Sequence, residues 1–288
     1  MFEIIKAIIY GIVEGVTEWL PISSTGHLIL VEQLIPFQET SEGFFDMFDV
    51  VIQLGAILAV VVLFWNKIWP FALTEKERQG GKGAAAWLKK DIWVMWFKIL
   101  VSTVPAAVIG VLFDDLFTEL FYNPVCVALA LIIFGIAFIL IENWNRSRNP
   151  KVTSLSEITY TMALLIGIFQ VLAAVFPGTS RSGATIVGAL LIGVSRTVAA
   201  EYTFFLAIPV MFGASLLKVV KFGFGFTATE LSLLLIGTVV SFVVSLFALR
   251  FLMNYVKKHD FKVFGWYRIA LGLAVLLYFG LAKGTGLG

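Results

Sequence analysis

The chain has 288 residues, of which 59% are hydrophobic and 14% charged, and its mean hydropathy is +0.95. A soluble domain carries about 45 to 50% apolar and roughly 25% charged residues, so this chain could not cover a water-exposed surface and is predicted to be an integral membrane protein. A net charge of +2 without a basic stripe excludes a nucleic-acid partner, and a single cysteine, Cys126, excludes an internal disulfide framework and a zinc cluster of thiolates.

The first apolar region, roughly 3 to 34, is interrupted by polar residues in its middle. The interruption consists of Glu14, Glu18 and the run from Pro21 to His27. The segment after it, Leu28 to Leu34, is too short to cross a bilayer alone. Irregular backbone is tolerated at membrane depth only where protein or a water-filled cavity covers it. We therefore predict a re-entrant helix-loop-helix hairpin here rather than a secretory signal peptide.

Glu14 and Glu18 are four residues apart, a spacing that puts both side chains on one face of a helix. Ionisable groups inside a bilayer are costly and are functional candidates by default. Two acids so placed can bind a hard divalent cation, or one of them can act as a general base. The alternative is a pair of solvated charges at a helix end. Their position at the centre of an apolar hairpin favours the functional interpretation.

The turn Ser23-Ser24-Thr25-Gly26-His27 has the composition of a helix N-cap. Free backbone N–H groups and the helix dipole at such a cap favour a phosphate. Ser24 and His27 are therefore two candidate nucleophiles beside an anion-binding turn. A purely structural cap is the alternative. The only other histidine, His259, lies in a basic loop.

Six stretches are apolar enough to cross about 30 Å of hydrocarbon, which takes roughly 20 residues. They lie at roughly 47 to 65, 92 to 113, 124 to 142, 200 to 219, 230 to 253 and 264 to 283. Arg268 lies near one end of the last stretch and is predicted to snorkel to the interface without a part in catalysis.

The second interrupted region, roughly 158 to 194, contains the run from Pro177 to Gly183. The segment after it, Ala184 to Val194, is again too short to cross the bilayer, which predicts a second re-entrant hairpin. Ile158 to Phe176, however, is long enough to span the membrane by itself.

Arg181 lies within this second interruption. A guanidinium at membrane depth requires a partner, and its planar fork suits bidentate recognition of phosphate. The alternative is a structural ion pair with Glu14 or Glu18, and both interpretations can hold in the empty protein. Hydroxyl donors around Arg181 are offered by Ser180, Ser182 and Thr185. Gly178 and Gly183 let the backbone approach a ligand closely.

The two interrupted regions resemble each other at a constant offset of 156 residues. The matched pairs are Gly11 with Gly167, Ile12 with Ile168, Glu14 with Gln170, Pro21 with Pro177, and Ser24 with Ser180. Each predicted hairpin is followed by three spans, and an odd number of crossings gives the halves opposite orientations. We predict an all-α, polytopic single membrane domain over 1–288, built as an inverted repeat of 1–142 and 158–283. Unrelated halves are the alternative.

Basic residues predict the orientation, because cytoplasmic loops carry an excess of Lys and Arg. The side opposite the termini receives Lys67, Lys76, Arg78, Lys82, Lys89, Lys90, Arg146, Arg148, Lys151, Arg196, Arg250, Lys257, Lys258 and Lys262. The side of the termini receives Lys6, Lys218, Lys221 and Lys283. We therefore place the termini and the mouth of the first hairpin outside, with the site opening toward the periplasmic or extracellular side.

Two long motifs resemble those of one family. They are Glu14-Gly15-Val16-Thr17-Glu18-Trp19-Leu20-Pro21-Ile22-Ser23-Ser24-Thr25-Gly26-His27 and Pro177-Gly178-Thr179-Ser180-Arg181-Ser182-Gly183-Ala184-Thr185. Together they are similar to the signature motifs of the bacterial undecaprenyl-diphosphate phosphatases of the bacitracin-resistance type, and the resemblance extends over essentially the whole chain. It implies hydrolysis of undecaprenyl diphosphate to undecaprenyl phosphate and inorganic phosphate in the bacterial cell (inner) membrane, which recycles the lipid carrier for cell-wall synthesis.

The resemblance also implies a divalent cation, Mg2+ or Ca2+, and a set of site residues. The catalytic residues it implies are Glu14, Glu18, Ser24, His27 and Arg181, with Glu14 and Glu18 also as metal ligands. The substrate-binding residues it implies are Ser23, Thr25, Gly26, Gly178, Thr179, Ser180, Ser182, Gly183 and Thr185. Ser24, His27 and a water molecule stay open as the nucleophile.

Two rival functions follow from the same residues. The membrane acid-phosphatase-like superfamily uses a second catalytic histidine, but no histidine follows Arg181 in its segment, so this rival is set aside. A transporter or flippase for a phosphorylated polyprenyl lipid is compatible with an inverted repeat and buried ionisable residues. A nucleophile, two acids and an arginine together are more than anion transport requires. The expected partners are a polyprenyl diphosphate and membrane lipids, and the oligomeric state stays open, with a homodimer as one option.

Overall fold

A computed structural model describes residues 2–74 and 87–284. Within these ranges the regular elements are helices, accompanied by isolated bridges rather than strands. The helices are α1 (Phe2–Thr17), α2 (Ser24–Leu34), α3 (Phe44–Val51), α4 (Gln53–Leu63), α5 (Trp65–Ile68), α6 (Lys90–Phe121), α7 (Pro124–Asn145), α8 (Tyr160–Val175), α9 (Arg181–Leu191), α10 (Arg196–Phe222), α11 (Ala228–Val256) and α12 (Lys262–Gly284). The all-α prediction is confirmed.

Six helical segments are long and apolar enough to cross a membrane. They are Phe44–Leu63, Lys90–Phe113, Pro124–Asn145, Arg196–Phe222, Ala228–Val256 and Lys262–Phe279. Each coincides with a predicted span to within a few residues, so the six-span prediction is confirmed. The first of them is made of α3 and α4, which meet at Ile52. Lys76, Arg78 and Lys82, which contribute to the predicted orientation, lie outside the described residues.

The first predicted hairpin consists of α1 and α2, joined by the loop 18–23. The chain enters and leaves this pair at one end, because side chains near the start of α1 bind backbone just after α2. The Lys6 ammonium donates to the carbonyl of Pro36 at 2.6 Å, and the Tyr10 hydroxyl donates to the carbonyl of Ile35 at 3.1 Å. This geometry supports a hairpin, and its re-entry into the membrane stays a prediction.

The second predicted hairpin, α8 and α9, is joined by the loop 176–180 and has the same arrangement. Backbone before α8 pairs with backbone after α9: the Lys151 N–H donates to the Gly193 carbonyl at 2.8 Å, and the Ser195 N–H donates to the Val152 carbonyl at 2.9 Å. Entry and exit therefore lie together. This favours a hairpin over a separate span from Ile158 to Phe176.

Glycines let the two long hairpin helices approach their neighbours closely. A Cβ atom at Gly11 of α1 would lie 2.7 Å from the Gly237 carbonyl oxygen of α11, and one at Gly167 of α8 would clash with the Ser102 backbone of α6. Small residues allow this kind of contact between membrane helices. Gly11 and Gly167 are equivalent positions of the predicted repeat. The first helix of each hairpin therefore packs closely against a spanning helix at the same position.

Candidate active site

The two hairpin loops end in serines with an uncommon backbone conformation. Ser23 has φ 75° and Ser180 has φ 69°, and within the described ranges they are the non-glycine residues with positive φ. Each serine caps the helix that follows: Ser23 Oγ accepts from the Gly26 N–H at 3.2 Å, and Ser180 Oγ accepts from the Gly183 N–H at 3.1 Å. Non-glycine residues held at positive φ are costly and cluster at functional sites. The cap predicted for the first loop is therefore present, and the second loop has a cap of the same kind.

Arg268 of α12 binds both loops and is fully buried. Its guanidinium donates to the carbonyls of Pro21 at 3.2 Å, Gly178 at 2.9 Å and Thr179 at 2.7 Å. The prediction that Arg268 snorkels to the interface is wrong. These carbonyls lie in loops and are not used in helical hydrogen bonds. They can therefore accept hydrogen bonds from the Arg268 guanidinium, which would otherwise have to reach water.

Glu18 connects the two loops through its carboxylate. The Ser24 hydroxyl donates to Glu18 Oε2 at 2.8 Å, and Arg181 Nη2 donates to Glu18 Oε1 at 2.9 Å. The second Arg181 amine, Nη1, donates to the carbonyl of Thr203 at 3.0 Å. Both ionic side chains are largely buried, so this is the ion pair expected in the empty protein.

This arrangement is chemically suited to activate a hydroxyl. The hydrogen bond from Ser24 ends on a carboxylate oxygen that can accept its proton, and the arginine holds that carboxylate in place. A nucleophile and base within hydrogen-bond reach, with the base oriented by a third group, is the general pattern of covalent catalysis.

Glu14 is fully buried, and neither of its carboxylate oxygens has a hydrogen-bond partner among the described residues. Gln170, its counterpart in the predicted repeat, is also buried and equally without partners. Buried polar groups normally have a partner in protein, water or a bound ion, so these two side chains are free to bind a ligand. The described residues hold no cluster of three or more His, Cys, Asp and Glu side chains. Glu14 and Glu18 could thus supply two ligands to a cation that takes others from phosphate and water, as Mg2+ commonly does.

Both ring nitrogens of His27 have partners other than Ser24 Oγ and the Glu18 carboxylate. Its Nδ1 lies 2.7 Å from the Ser23 carbonyl oxygen and its Nε2 lies 2.7 Å from the Tyr267 hydroxyl. Tyr267 was not identified from the sequence, where an aromatic residue at the end of a span is typical of a membrane interface.

Other hydroxyls predicted to bind substrate are engaged within the protein. Ser182 Oγ donates to the Glu18 carbonyl at 3.1 Å, and Thr185 Oγ1 donates to the Arg181 carbonyl at 2.9 Å. Ser180 Oγ lies 3.1 Å from Ser182 Oγ. These contacts fix the relative position of Glu18 and Arg181.

The glycines of the second loop meet protein rather than open space. A Cβ atom at Gly178, where φ is 89°, would lie 2.6 Å from the Val127 carbonyl oxygen of α7, and one at Gly183 would lie 3.0 Å from Arg268 Nη1. Their small size admits neighbouring helices, which differs from the close ligand approach expected from the sequence. Thr25 is half-buried on the first turn of α2.

An apolar cavity of about 400 Å³ lies between α6, α8 and α10. Its wall contains Arg181 and Gln170, and Lys218 lies in the wall near the C-terminal end of α10. Most of the remaining lining is Ala, Gly and Val. Within the described residues, Arg181 Nε, Gln170 Nε2 and the Thr179 hydroxyl are buried donors without an acceptor. An anionic group at the cavity wall would satisfy donors of this kind.

Comparison with known proteins agrees with this chemistry. Residues 7–274 match the family model of the bacitracin resistance protein BacA. A protein of Desulfitobacterium hafniense named undecaprenyl-diphosphatase is 63% identical over 97% of each chain. Clostridium acetobutylicum undecaprenyl-diphosphatase 1 is 64% identical over 96% of this chain and 97% of its own, and an Enterococcus faecalis undecaprenyl-diphosphatase is 58% identical over 96% of each. The chain belongs to the bacitracin resistance protein BacA family.

Proposed function

We propose that this multi-pass membrane protein hydrolyses undecaprenyl diphosphate to undecaprenyl phosphate and inorganic phosphate. The observation that carries the proposal is the Ser24 hydroxyl donating to the Glu18 carboxylate, which Arg181 holds. The names of the relatives supply the identity of the lipid.

In the proposed reaction, Ser24 Oγ attacks the terminal phosphorus while its proton passes to Glu18. The bond between that phosphorus and the bridging oxygen breaks, and undecaprenyl phosphate leaves with the bridging oxygen. Glu18 passes the proton from Ser24 to the departing undecaprenyl phosphate and is a free base again. A water molecule then attacks the phosphoserine and gives a proton to Glu18. Glu18 returns this proton to the serine oxygen as the bond between that oxygen and phosphorus breaks. The net change is the addition of one water to the phosphoanhydride bond. The distance between Ser24 and Glu18 favours this order over direct attack by His27 or water.

Arg181 is the proposed clamp for the diphosphate. Two of its amines are engaged by Glu18 and Thr203, and Nε is a buried donor without a partner. An arriving phosphate can satisfy Nε and compete with Glu18 for Nη2. This would release the carboxylate toward Ser24 at the moment when a base is needed.

The apolar cavity is the proposed location of the first isoprene units. Arg181 lies in its wall, so a diphosphate bound there leaves the hydrocarbon in contact with small apolar side chains of α6, α8 and α10. Lys218 adds a second cation along the same cavity. The rest of the chain would extend into the bilayer.

Glu14 and Glu18 are the proposed ligands of Mg2+ or Ca2+. A buried, unpartnered carboxylate at Glu14 fits this role, because an isolated buried charge is unfavourable without a counter-charge. When bound, the cation would neutralise charge on the diphosphate.

We propose that the site opens to the periplasmic or extracellular side of the cell membrane. The support is the excess of basic residues on the opposite side. A cysteine at Ser195, in a Cys126→Ala background, is expected to react with a reagent confined to the cytoplasm. Reaction from the outside alone would contradict this orientation.

Phosphate release by the purified protein in detergent tests the hydrolysis. Micelles have no second compartment, so a transporter cannot produce phosphate there. We expect repeated turnover of undecaprenyl diphosphate, loss of the rate on chelation, and recovery with Mg2+ or Ca2+. Glu14→Gln should require more cation, whereas Glu3→Gln, a buried acid of the same helix, should not. Tight binding of lipid diphosphate without phosphate release would favour the transporter.

A further inference from the structure

The two ring nitrogens of His27 have partners of different kinds. Nδ1 lies 2.7 Å from the carbonyl oxygen of Ser23, and a carbonyl can only accept a hydrogen bond. Nδ1 must therefore carry a proton. In a neutral imidazole Nε2 is then an acceptor, so the Tyr267 hydroxyl, at 2.7 Å, is the donor.

A further contact orients the imidazole. The rings of His27 and Tyr267 are stacked, with centroids 5.6 Å apart and an interplanar angle of 5°. Neutral His27 is the form that the Tyr267 hydroxyl can bind as a donor.

Tyr267 is itself fixed in position by its neighbour in the chain. Arg268 is fully buried and donates to carbonyls in both hairpin loops. This anchors the start of α12 to the same loop that presents Ser23 and His27. The Tyr267 hydroxyl therefore has a defined place relative to the His27 ring.

We propose that Tyr267 is a positioning residue, which holds His27 as the neutral Nδ1–H tautomer by donating to Nε2. The proposal rests on the proposed phosphatase function for its kinetic consequence, but the tautomer does not depend on that function. Tyr267 acts through His27, so its loss should lower kcat more than it changes KM.

Tyr267→Phe is the decisive variant, because it removes the hydroxyl and keeps the stacked ring. Loss of one hydrogen bond to a site residue should reduce kcat about tenfold. KM and the melting temperature in detergent should stay close to those of the wild type. Tyr278→Phe, an exposed tyrosine of the same helix, is the matched control and should keep full activity.

Histidine-selective 15N labelling reads the tautomer directly, because the chain has two histidines and a His259→Gln background leaves only His27. We expect a protonated Nδ1 and an unprotonated, hydrogen-bonded Nε2, with the Nε2 signal moving to that of a free imidazole nitrogen in Tyr267→Phe. An unchanged Nε2 signal in that variant overturns the proposal.

A double-mutant cycle completes the test. Tyr267→Phe should cost nothing further in a His27→Ala background. An equal loss in both backgrounds would show that Tyr267 does not act through His27 and would overturn the proposal. If the wild type releases no phosphate, the proposed hydrolysis fails instead, and the nitrogen spectra still decide whether Tyr267 holds the ring.

Discussion

Glu18→Gln should lower the turnover of undecaprenyl diphosphate by at least about 100-fold, the usual contribution of a general base. Glutamine has the shape of glutamate, and its amide oxygen can accept from Arg181 while its amide nitrogen lies beside Ser24 Oγ, so the shape of the site is kept. It cannot take the Ser24 proton, and the step that depends on this transfer fails. Phosphate release under saturating lipid measures the effect.

The control for Glu18→Gln is Glu3→Gln. Glu3 is also a buried acid, bound by Lys6 at 2.7 Å on α1, but it lies at the far end of the helix from the loops. The Glu3→Gln variant should be less stable than the wild type but should hydrolyse the lipid at the wild-type rate. Glu18→Gln turnover within threefold of the wild type would contradict the base assignment.

Arg181→Lys should reduce kcat/KM by about 100-fold, comparable to the loss of one preorganised donor to a developing anion. Lysine keeps the positive charge and can still reach one acceptor. It has no planar fork that can keep the Thr203 carbonyl bound while it presents two adjacent donors to a phosphate, as Arg181 has in Nη1, Nε and Nη2. Steady-state kinetics on the purified variant measures the loss.

Arg196→Lys is a matched control for Arg181→Lys. Arg196 is the first residue of α10 and binds the buried Glu142 through two of its nitrogens. It lies at the other end of α10 from Lys218, outside the proposed site. Its replacement should lower the melting temperature and leave the activity per folded molecule unchanged. Near-normal turnover of Arg181→Lys would contradict the clamp.

The spans could be predicted from the sequence because a run of about 20 apolar residues has few alternatives to crossing a bilayer. The loops could be located for the same reason, since Glu18 and Arg181 interrupt such runs. The sequence left two interpretations of Arg181 open, namely phosphate recognition and an ion pair with Glu14 or Glu18. The structure shows the ion pair, and the unpartnered Nε leaves room for the phosphate as well.

Arg268 and Tyr267 could not be predicted to belong to the site. The partners of Arg268 are backbone carbonyls, which every sequence has, so no residue type indicates them. The contact of Tyr267 with His27 joins residues 240 positions apart, and it depends on how α12 packs on the loops. Gln170 could have been identified from the sequence. It is a polar residue in an apolar helix, and it is the counterpart of Glu14 at the repeat offset.

Two glycines of the second motif have protein neighbours where the sequence led us to expect a ligand. Gly178 and Gly183 were expected to give space to a ligand. Their space is occupied by α7 and by Arg268, because the buried loop has to be covered by protein. Which helix fills such a gap is decided by tertiary packing.

The proposed mechanism depends on transfer of the terminal phosphoryl group to Ser24, which Glu18 activates. Rapid acid quench of the protein with lipid diphosphate labelled in the terminal phosphate, followed by peptide mapping, tests it most directly. We expect an acid-stable phosphoserine at Ser24 that forms before inorganic phosphate is released and is absent in Ser24→Ala. A parallel quench in base preserves phosphohistidine, which acid hydrolyses. Label on His27 in that quench, or phosphate release by Ser24→Ala at the wild-type rate, would contradict the mechanism.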